Sequence, residues 1–204
     1  MYKEIVETID RIASNPGIGE GRKAVLQPLI DFVQEKATRG SVINLNFICT
    51  HNSRRSHFAQ VWAQVASAYF RVPDVYCYSG GTEETALFPK VAETLAHQGF
   101  SVFKVAGMGN PVYAIKYSEH ALPIVGFSKK YDSPFNPASA FAAIMTCSQA
   151  DVGCPFIAGA EKRIPITYDD PKVSDGTLAQ TSVYAARSLQ IAAEMYYVFS
   201  MINR

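Results

Sequence analysis

The chain has 204 residues, 19 basic and 18 acidic side chains, a formal charge of +1 and 48% hydrophobic residues. That balance excludes a polyanion-binding surface spread over the whole chain and an acidic disordered tail, so no nucleic-acid partner is expected. The apolar content suffices for a core without disulfide or metal staples, and no apolar run reaches the roughly 20 residues of a membrane-spanning helix, so no membrane partner is expected either.

The opening residues, MYKEIVETID, place acids among the apolar positions and lack the apolar segment of a secretory signal, which leads to the expectation of a cytoplasmic protein. Tyr2, Ile5, Ile9 and Ile12 repeat at helical spacing, Gly17, Gly19 and Gly21 interrupt the pattern, and Val25, Leu26, Leu29, Ile30 and Val33 resume it. Residues 1–39 therefore read as an N-terminal helical extension. Its apolar stripes cover the main unit, residues 40–204, or form a dimerisation surface, which leaves a homodimer open.

Val42, Ile43, Leu45, Phe47 and Ile48 predict a strand that ends in the polar loop Cys49 to Ser56, followed by a helix to Tyr69. A second strand is expected at Val75 to Ser79, closed by Gly80 and Gly81, and Pro89 suits the first turn of a helix that continues through Leu95 to Gly99. Phe100 to Val105 continues this βα rhythm as a third strand. Beyond the turn residues Gly107, Gly109 and Pro111, the runs Val112 to Tyr117 and Leu122 to Phe127 predict an inserted β-hairpin. Ala140 to Cys147 is uncharged and apolar, as a strand covered on both faces requires; Ile164 to Ile166 is a shorter one, and a long terminal helix follows Gly176. The class is α/β, an open sheet with helices on both faces, in which ligands bind beyond the carboxyl ends of the strands.

Four cysteines occur, Cys49, Cys77, Cys147 and Cys154, in a chain that needs no disulfide framework. Cys49 stands at a predicted strand end and Arg55 six positions later, near the start of a helix. Backbone N–H groups curling there, the positive helix end and a forked guanidinium suit a phosphate-sized oxyanion, and the same field favours a thiolate, the form in which cysteine is a nucleophile. The loop lacks the Gly-x-x-x-x-Gly-Lys pattern of an ATP-binding loop. Cys49, His51 and His57 lack the companion ligands of a structural zinc site, so no metal is assigned, and no cofactor is implied.

The segment Asn46-Phe47-Ile48-Cys49-Thr50-His51-Asn52-Ser53-Arg54-Arg55-Ser56-His57-Phe58-Ala59 resembles the active-site loop of the low-molecular-weight protein tyrosine phosphatases and of the thioredoxin-coupled arsenate reductases that share their fold. The resemblance implies a three-layer α/β/α domain with a parallel four-stranded central sheet. It implies Thr50, His51, Asn52, Ser53, Arg54, Arg55 and Ser56 as the oxyanion-binding loop, with Cys49 as nucleophile, Arg55 as clamp, Asn52 as organiser and Ser56 as hydrogen-bond partner of the thiolate. His51 stands where many relatives have glycine, so the loop's glycine-like backbone angle is expected at His51. Arg54 replaces a common cysteine and adds positive field at the mouth. Gln60 stands where the reductases commonly carry a glutamate, so no potassium site is predicted.

Cys147-Ser148-Gln149-Ala150-Asp151-Val152-Gly153-Cys154-Pro155 resembles the redox segment of the arsenate reductases. By that resemblance Cys49 attacks arsenate, Cys147 attacks the resulting adduct to release arsenite, and Cys154 takes over the disulfide and passes it to a thioredoxin or similar dithiol reductant. Tyr168-Asp169-Asp170-Pro171 resembles the segment that supplies the general acid, Asp170 being preferred because it directly precedes the proline. Reduction of arsenate is the expected function. The alternative is a phosphatase that hydrolyses phosphate monoesters through a phosphocysteine, for which Cys49, Arg55 and Asp170 suffice. Cys77, on a short strand, reads as core.

Overall fold

Parallel strands covered on both faces read as continuous apolar runs, and the two such runs here, residues 43–49 and 141–145, lie side by side at the centre of the fold. The structure is a computed structural model that describes residues 1–14 and 17–203; residues 15, 16 and 204, which the segments 1–39 and 40–204 include, lie outside the described residues. In chain order the elements are α1 (Lys3–Ser14), α2 (Glu20–Thr38), β1 (Ile43–Cys49), α3 (Arg55–Tyr69), β2 (Val75–Gly81), α4 (Pro89–His97) and β3 (Ser101–Ala106). There follow β4 (Val112–Lys116), β5 (Ile124–Gly126), β6 (Phe141–Met145), α5 (Ser148–Gly153), β7 (Ala160–Pro165), a 3-10 turn at Pro171–Ser174, and α6 (Gln180–Ser200).

The main sheet has the order β2-β1-β6-β7, and every pairing in it is parallel. Alternation along β1 and β6 sorts their side chains. Ile43, Leu45 and Phe47 join Ala142 and Ile144 in the larger core under α3 and α6, whereas Ile48 joins Phe141, Ala143 and Met145 in a smaller one completed by Ala150 and Ile157. The fold is α/β/α, with the long helices on one face and α5 on the other. Ile5, Ile9 and Ile12 of α1 and Leu26, Leu29, Ile30, Phe32 and Val33 of α2 belong to the larger core. Trp62, buried in α3, packs edge-on to Phe100 with ring centroids 5.1 Å apart and donates its indole N–H to Ser188.

Strand β2 is an edge strand whose outward groups are occupied by side chains. Gln60 Nε2 donates to Cys77 O, Gln64 Nε2 to Val75 O, and Cys77 N–H donates to Gln64 Oε1, each at 3.0 Å. Covering an edge in this way removes a template for strand addition.

Three boundaries differ from the sequence expectation. Gly80 and Gly81 lie inside β2 rather than closing it, because Cys49 still pairs with Gly81. Gly21 sits within α2, which starts at Glu20. The third strand does not extend the parallel sheet: β3 pairs antiparallel with β4, which pairs with β5, so the predicted hairpin is two strands of a separate three-stranded sheet. A βα unit constrains only the strand that follows its helix to be near, and here the β4 partner captures it. Among the described residues no helix is long and apolar enough to cross a membrane.

Candidate active site

The end of β1 places Cys49 at the base of a loop whose carbonyl groups all turn away from it. Cys49 O accepts from Thr82 N–H, Thr50 O from Glu83 N–H, and His51 O from the Ser128 and Thr85 hydroxyls. Asn52 O is 2.8 Å from His57 Nε2, and Ser53 O accepts from Phe88 N–H. No backbone N–H from Thr50 to Ser56 donates to a protein acceptor among the described residues. With the carbonyls tied back and the N–H groups left over, next to the N-terminus of the 15-residue α3, the loop is a concave array of donors suited to an anion.

The loop bends at Asn52, whose φ of 44° is left-handed. This corrects the expectation that His51 bears the glycine-like angle; asparagine is among the side chains that tolerate it. Asn52 is held on three sides: Nδ2 donates to Ser56 Oγ at 2.9 Å, Oδ1 accepts from Lys129 N–H at 2.9 Å, and its carbonyl meets His57. Ser56 Oγ also lies 3.1 Å from Cys49 Sγ. Because Asn52 occupies an acceptor lone pair of Ser56, the serine proton is available to the sulfur. Gly81 is required here, since a Cβ on it would stand 2.3 Å from Glu83 O and 2.7 Å from Thr50 O.

Arg55 is 8% exposed. Its Nη1 donates to Tyr168 O at 3.0 Å and its Nη2 to Asp170 Oδ2 at 2.6 Å, while Nε is buried with no partner among the described residues. Cys49, His51, Ser53, Arg54, Arg55 and Asp170 line a cleft with room for about one water, 10 Å³, which the Arg55–Asp170 pair spans. Asp170 also caps the following 3-10 turn through Lys172 N–H. Asp169 points outward, its side chain 95% exposed and paired with Arg187. A roomier cavity, about 390 Å³, lies at the β2 edge among Tyr76, Tyr78, Tyr117, Leu122 and Phe135, but no charged side chain lines it.

Arg54 lines the mouth, yet its charge is already paired. It donates to Asp175 Oδ2 at 2.7 Å and to Tyr184 Oη at 2.6 Å, and stacks 4.2 Å from the Phe88 ring centroid. The free positive field expected of it is therefore not present. His51 faces Glu83 at 3.5 Å. His57 lies under the loop; burial, and then the neighbouring Lys129, hold its pKa down to about 3, so it is neutral there. Lys129 is itself 2% exposed, flanked by the Phe127 and Phe135 rings, and burial lowers its pKa to about 8.

The remaining sulfurs divide as follows. Cys147 follows β6, whose Met145 pairs with Ile48 of β1, and its Sγ lies 3.4 Å from Thr50 Oγ1, one residue beyond Cys49. Cys147 is buried, caps α5 by accepting Ala150 N–H at 3.3 Å, and shares the smaller core with Cys49. Cys154 closes the other end of α5 and is half-buried. Arg163 on β7 ties that end down: Nε donates to Cys154 O at 3.0 Å and Nη2 to the Asp151 carbonyl and carboxylate. Cys77 is buried, and burial alone pushes its thiol far up, so it is inert core. The anchors Thr85, Ser128, Lys129 and the Tyr168 carbonyl have no signature in the sequence, since each acts through a tertiary contact.

No family model matches the chain. The arsenate reductase of Staphylococcus aureus (strain Newman) is 28% identical over 125 residues, 61% of this chain and 76% of that protein. An arsenate reductase of Staphylococcus epidermidis (strain ATCC 12228 / FDA PCI 1200) is 26% identical over 126 residues, again 61% and 76%. Among solved structures, an arsenate reductase in the phosphate-binding state superposes with a TM-score of 0.50 and 17% identity, covering 79% of this chain and all of that one. This chain has the fold of the low-molecular-weight protein tyrosine phosphatase superfamily. A phosphotyrosine phosphatase of Vibrio cholerae O395 shares the superfamily fold at a TM-score of 0.50 and 12% identity, over 78% of this chain and 94% of that one. Both structural likenesses speak to the fold; the sequence matches lie on the arsenate-reductase side of the superfamily.

Proposed function

We propose that the protein reduces arsenate to arsenite through Cys49 and a relay of Cys147 and Cys154. The observation that carries this reading is the position of the second and third sulfurs: Cys147 beside Thr50 at the adjacent strand end, and Cys154 at the far end of a six-residue helix. A phosphatase requires neither. The arsenate reductases among the sequence relatives favour the same branch.

In this mechanism the loop N–H groups and the Arg55 guanidinium bind arsenate, and the Cys49 thiolate, stabilised by Ser56, attacks arsenic. One As–O bond breaks, and Asp170 hands a proton to the departing oxygen. The Cys147 thiolate then attacks Cys49 Sγ. The electron pair of the S–As bond passes to arsenic, which leaves as arsenite in the +3 state, and a Cys49–Cys147 disulfide remains. Cys154 attacks Cys147, releasing the Cys49 thiolate and forming Cys147–Cys154, which an external dithiol such as a thioredoxin reduces by two electrons.

Arsenate-dependent oxidation of thioredoxin tests the proposal. Turnover is expected in the wild type and is expected to vanish in Cys147→Ser and Cys154→Ser. A wild type that consumes no arsenate with several thioredoxins, yet hydrolyses an aryl phosphate after loss of both later cysteines, would establish the phosphatase reading instead.

A further inference from the structure

The N-terminal helices reach the guanidinium of Arg55 through three side chains. Arg22, in the first turn of α2, donates Nε to Glu194 Oε1 and Nη2 to Glu194 Oε2, both at 2.8 Å. Glu194, on α6, is 2% exposed and also accepts from Gln190 and, at 2.7 Å, from the Tyr168 hydroxyl. The Arg22 guanidinium lies 4.9 Å from the Tyr168 ring centroid. Tyr168 is the residue whose carbonyl holds Arg55 Nη1, and two positions on, Asp170 holds Nη2.

Each link has one geometry. A bidentate guanidinium fixes both carboxylate oxygens at once, and a buried carboxylate without that partner is an uncompensated charge. Burial, and then the Glu194 carboxylate, push the Tyr168 phenol well up, so its hydroxyl stays a donor. Tyr168 is thus held at its tip by Glu194, at its ring face by Arg22 and at its N–H by Thr146 O, 3.1 Å away. That leaves one place for its carbonyl, and with it one plane for the Arg55 fork, whose remaining donor, Nε, has no partner among the described residues.

We infer that Arg22 is a positioning residue of the oxyanion site: through Glu194 and Tyr168 it sets the plane of the Arg55 guanidinium, so the N-terminal extension completes the anion clamp. The inference rests on the reading of the Cys49 loop as an oxyanion site. Its test compares calorimetric affinities for arsenate and inorganic phosphate in the wild type, Arg22→Met, Arg22→Lys, Tyr168→Phe and the control Lys36→Met. Lys36 also ties α2 to the sheet, through Glu161 on β7 at 2.7 Å, but touches nothing that leads to Arg55.

Both anions are expected to bind about tenfold more weakly to Arg22→Met and Tyr168→Phe, the scale of a clamp displaced by a fraction of an ångström. Arg22→Lys is expected to recover part of the loss, KM for arsenate to rise more than kcat falls, and Lys36→Met to bind like the wild type. Equal affinity in wild type and Arg22→Met, or a loss in Lys36→Met as large as in Arg22→Met, overturns the inference and leaves the arsenate reading intact. Should Arg22→Met fail to fold, Tyr168→Phe decides: it keeps the ring and the buried pair, and unchanged affinity there overturns the inference. A wild type that binds both anions without reducing arsenate, with Arg22→Met still weakened, overturns the reductase reading alone; a wild type that binds neither overturns both.

Discussion

Ser56 has its proton to give to Cys49 because Asn52 Nδ2 already sits on its acceptor side. Hydrogen bonds to a charged group are worth about 1.5–3 kcal/mol, so Ser56→Ala is expected to slow alkylation of Cys49 by iodoacetamide at neutral pH by about tenfold or more. An unchanged rate would mean that the serine does not serve the sulfur. The two neighbouring aspartates separate as cleanly. Asp170→Asn is expected to lower arsenate turnover by about 10²–10⁴-fold, the usual span for a lost general acid. Asp169→Asn, at an exposed position paired only with Arg187, is expected to leave the rate within about twofold, as for a surface change. Steady-state assays of the pair check both. These residues were legible in the sequence because chemistry fixes their spacing along one loop or beside one proline. The left-handed angle at Asn52, the pairing of Arg54 with Asp175 and Tyr184, and the Tyr168 carbonyl under Arg55 were not, since each depends on chain segments more than 70 residues away meeting at the loop.

At the scale of elements, α5 stands between two sulfurs that the proposed relay must join. Seven residues of helix separate Cα atoms by about 10.5 Å, beyond the roughly 7 Å a disulfide spans, so the helix has to open before Cys147 and Cys154 bond. Arg163 opposes that opening by holding the Cys154 carbonyl and both oxygens of Asp151 that face it. Arg163→Ala is expected to speed diamide-driven formation of the Cys147–Cys154 disulfide several-fold, read by quenching and mass analysis; a slower rate would mean that Arg163 favours the open form. The cysteine spacing announced this segment, but its helical state and the β7 latch came from packing. The same holds for β3. Its composition was correctly read as a strand, and only the competition between two sheets decided which one it joined.

Buried titratable groups set the response of the whole molecule to pH. His57 has a pKa of about 3 in the fold, against about 6.5 in an unfolded chain, so the unfolded state binds more protons between these values. Stability therefore falls as pH drops from about 6.5 toward 3. Between about pH 8 and 10 two buried groups oppose each other. Lys129, lowered to about 8 by burial against about 10.4 unfolded, adds a rise in stability with pH. The Cys77 thiol, pushed up by burial, keeps its proton in the fold after an unfolded thiol, at about 8.5, has lost it, and adds a fall. Urea unfolding followed by the fluorescence of Trp62, the single tryptophan, reads both slopes. Lys129→Met, which replaces a buried ammonium lacking any carboxylate partner among the described residues, is expected to raise the midpoint at pH 7 and to make stability fall more steeply with pH above about 8, where the Cys77 contribution is left unopposed. A lower midpoint with the slope above pH 8 unchanged would contradict it.

The same scale contains the proposed reaction, which needs the loop, the redox helix and the 168–171 segment together. Mass mapping of disulfides after one equivalent of arsenate, in the absence of any external reductant, tests it most directly. The account predicts a Cys147–Cys154 disulfide and one arsenite per protein in the wild type, and a trapped Cys49–Cys147 disulfide in Cys154→Ser, with Cys77 a free thiol throughout. Arsenite released with Cys147 still reduced, or four free thiols after exposure to arsenate, would contradict it.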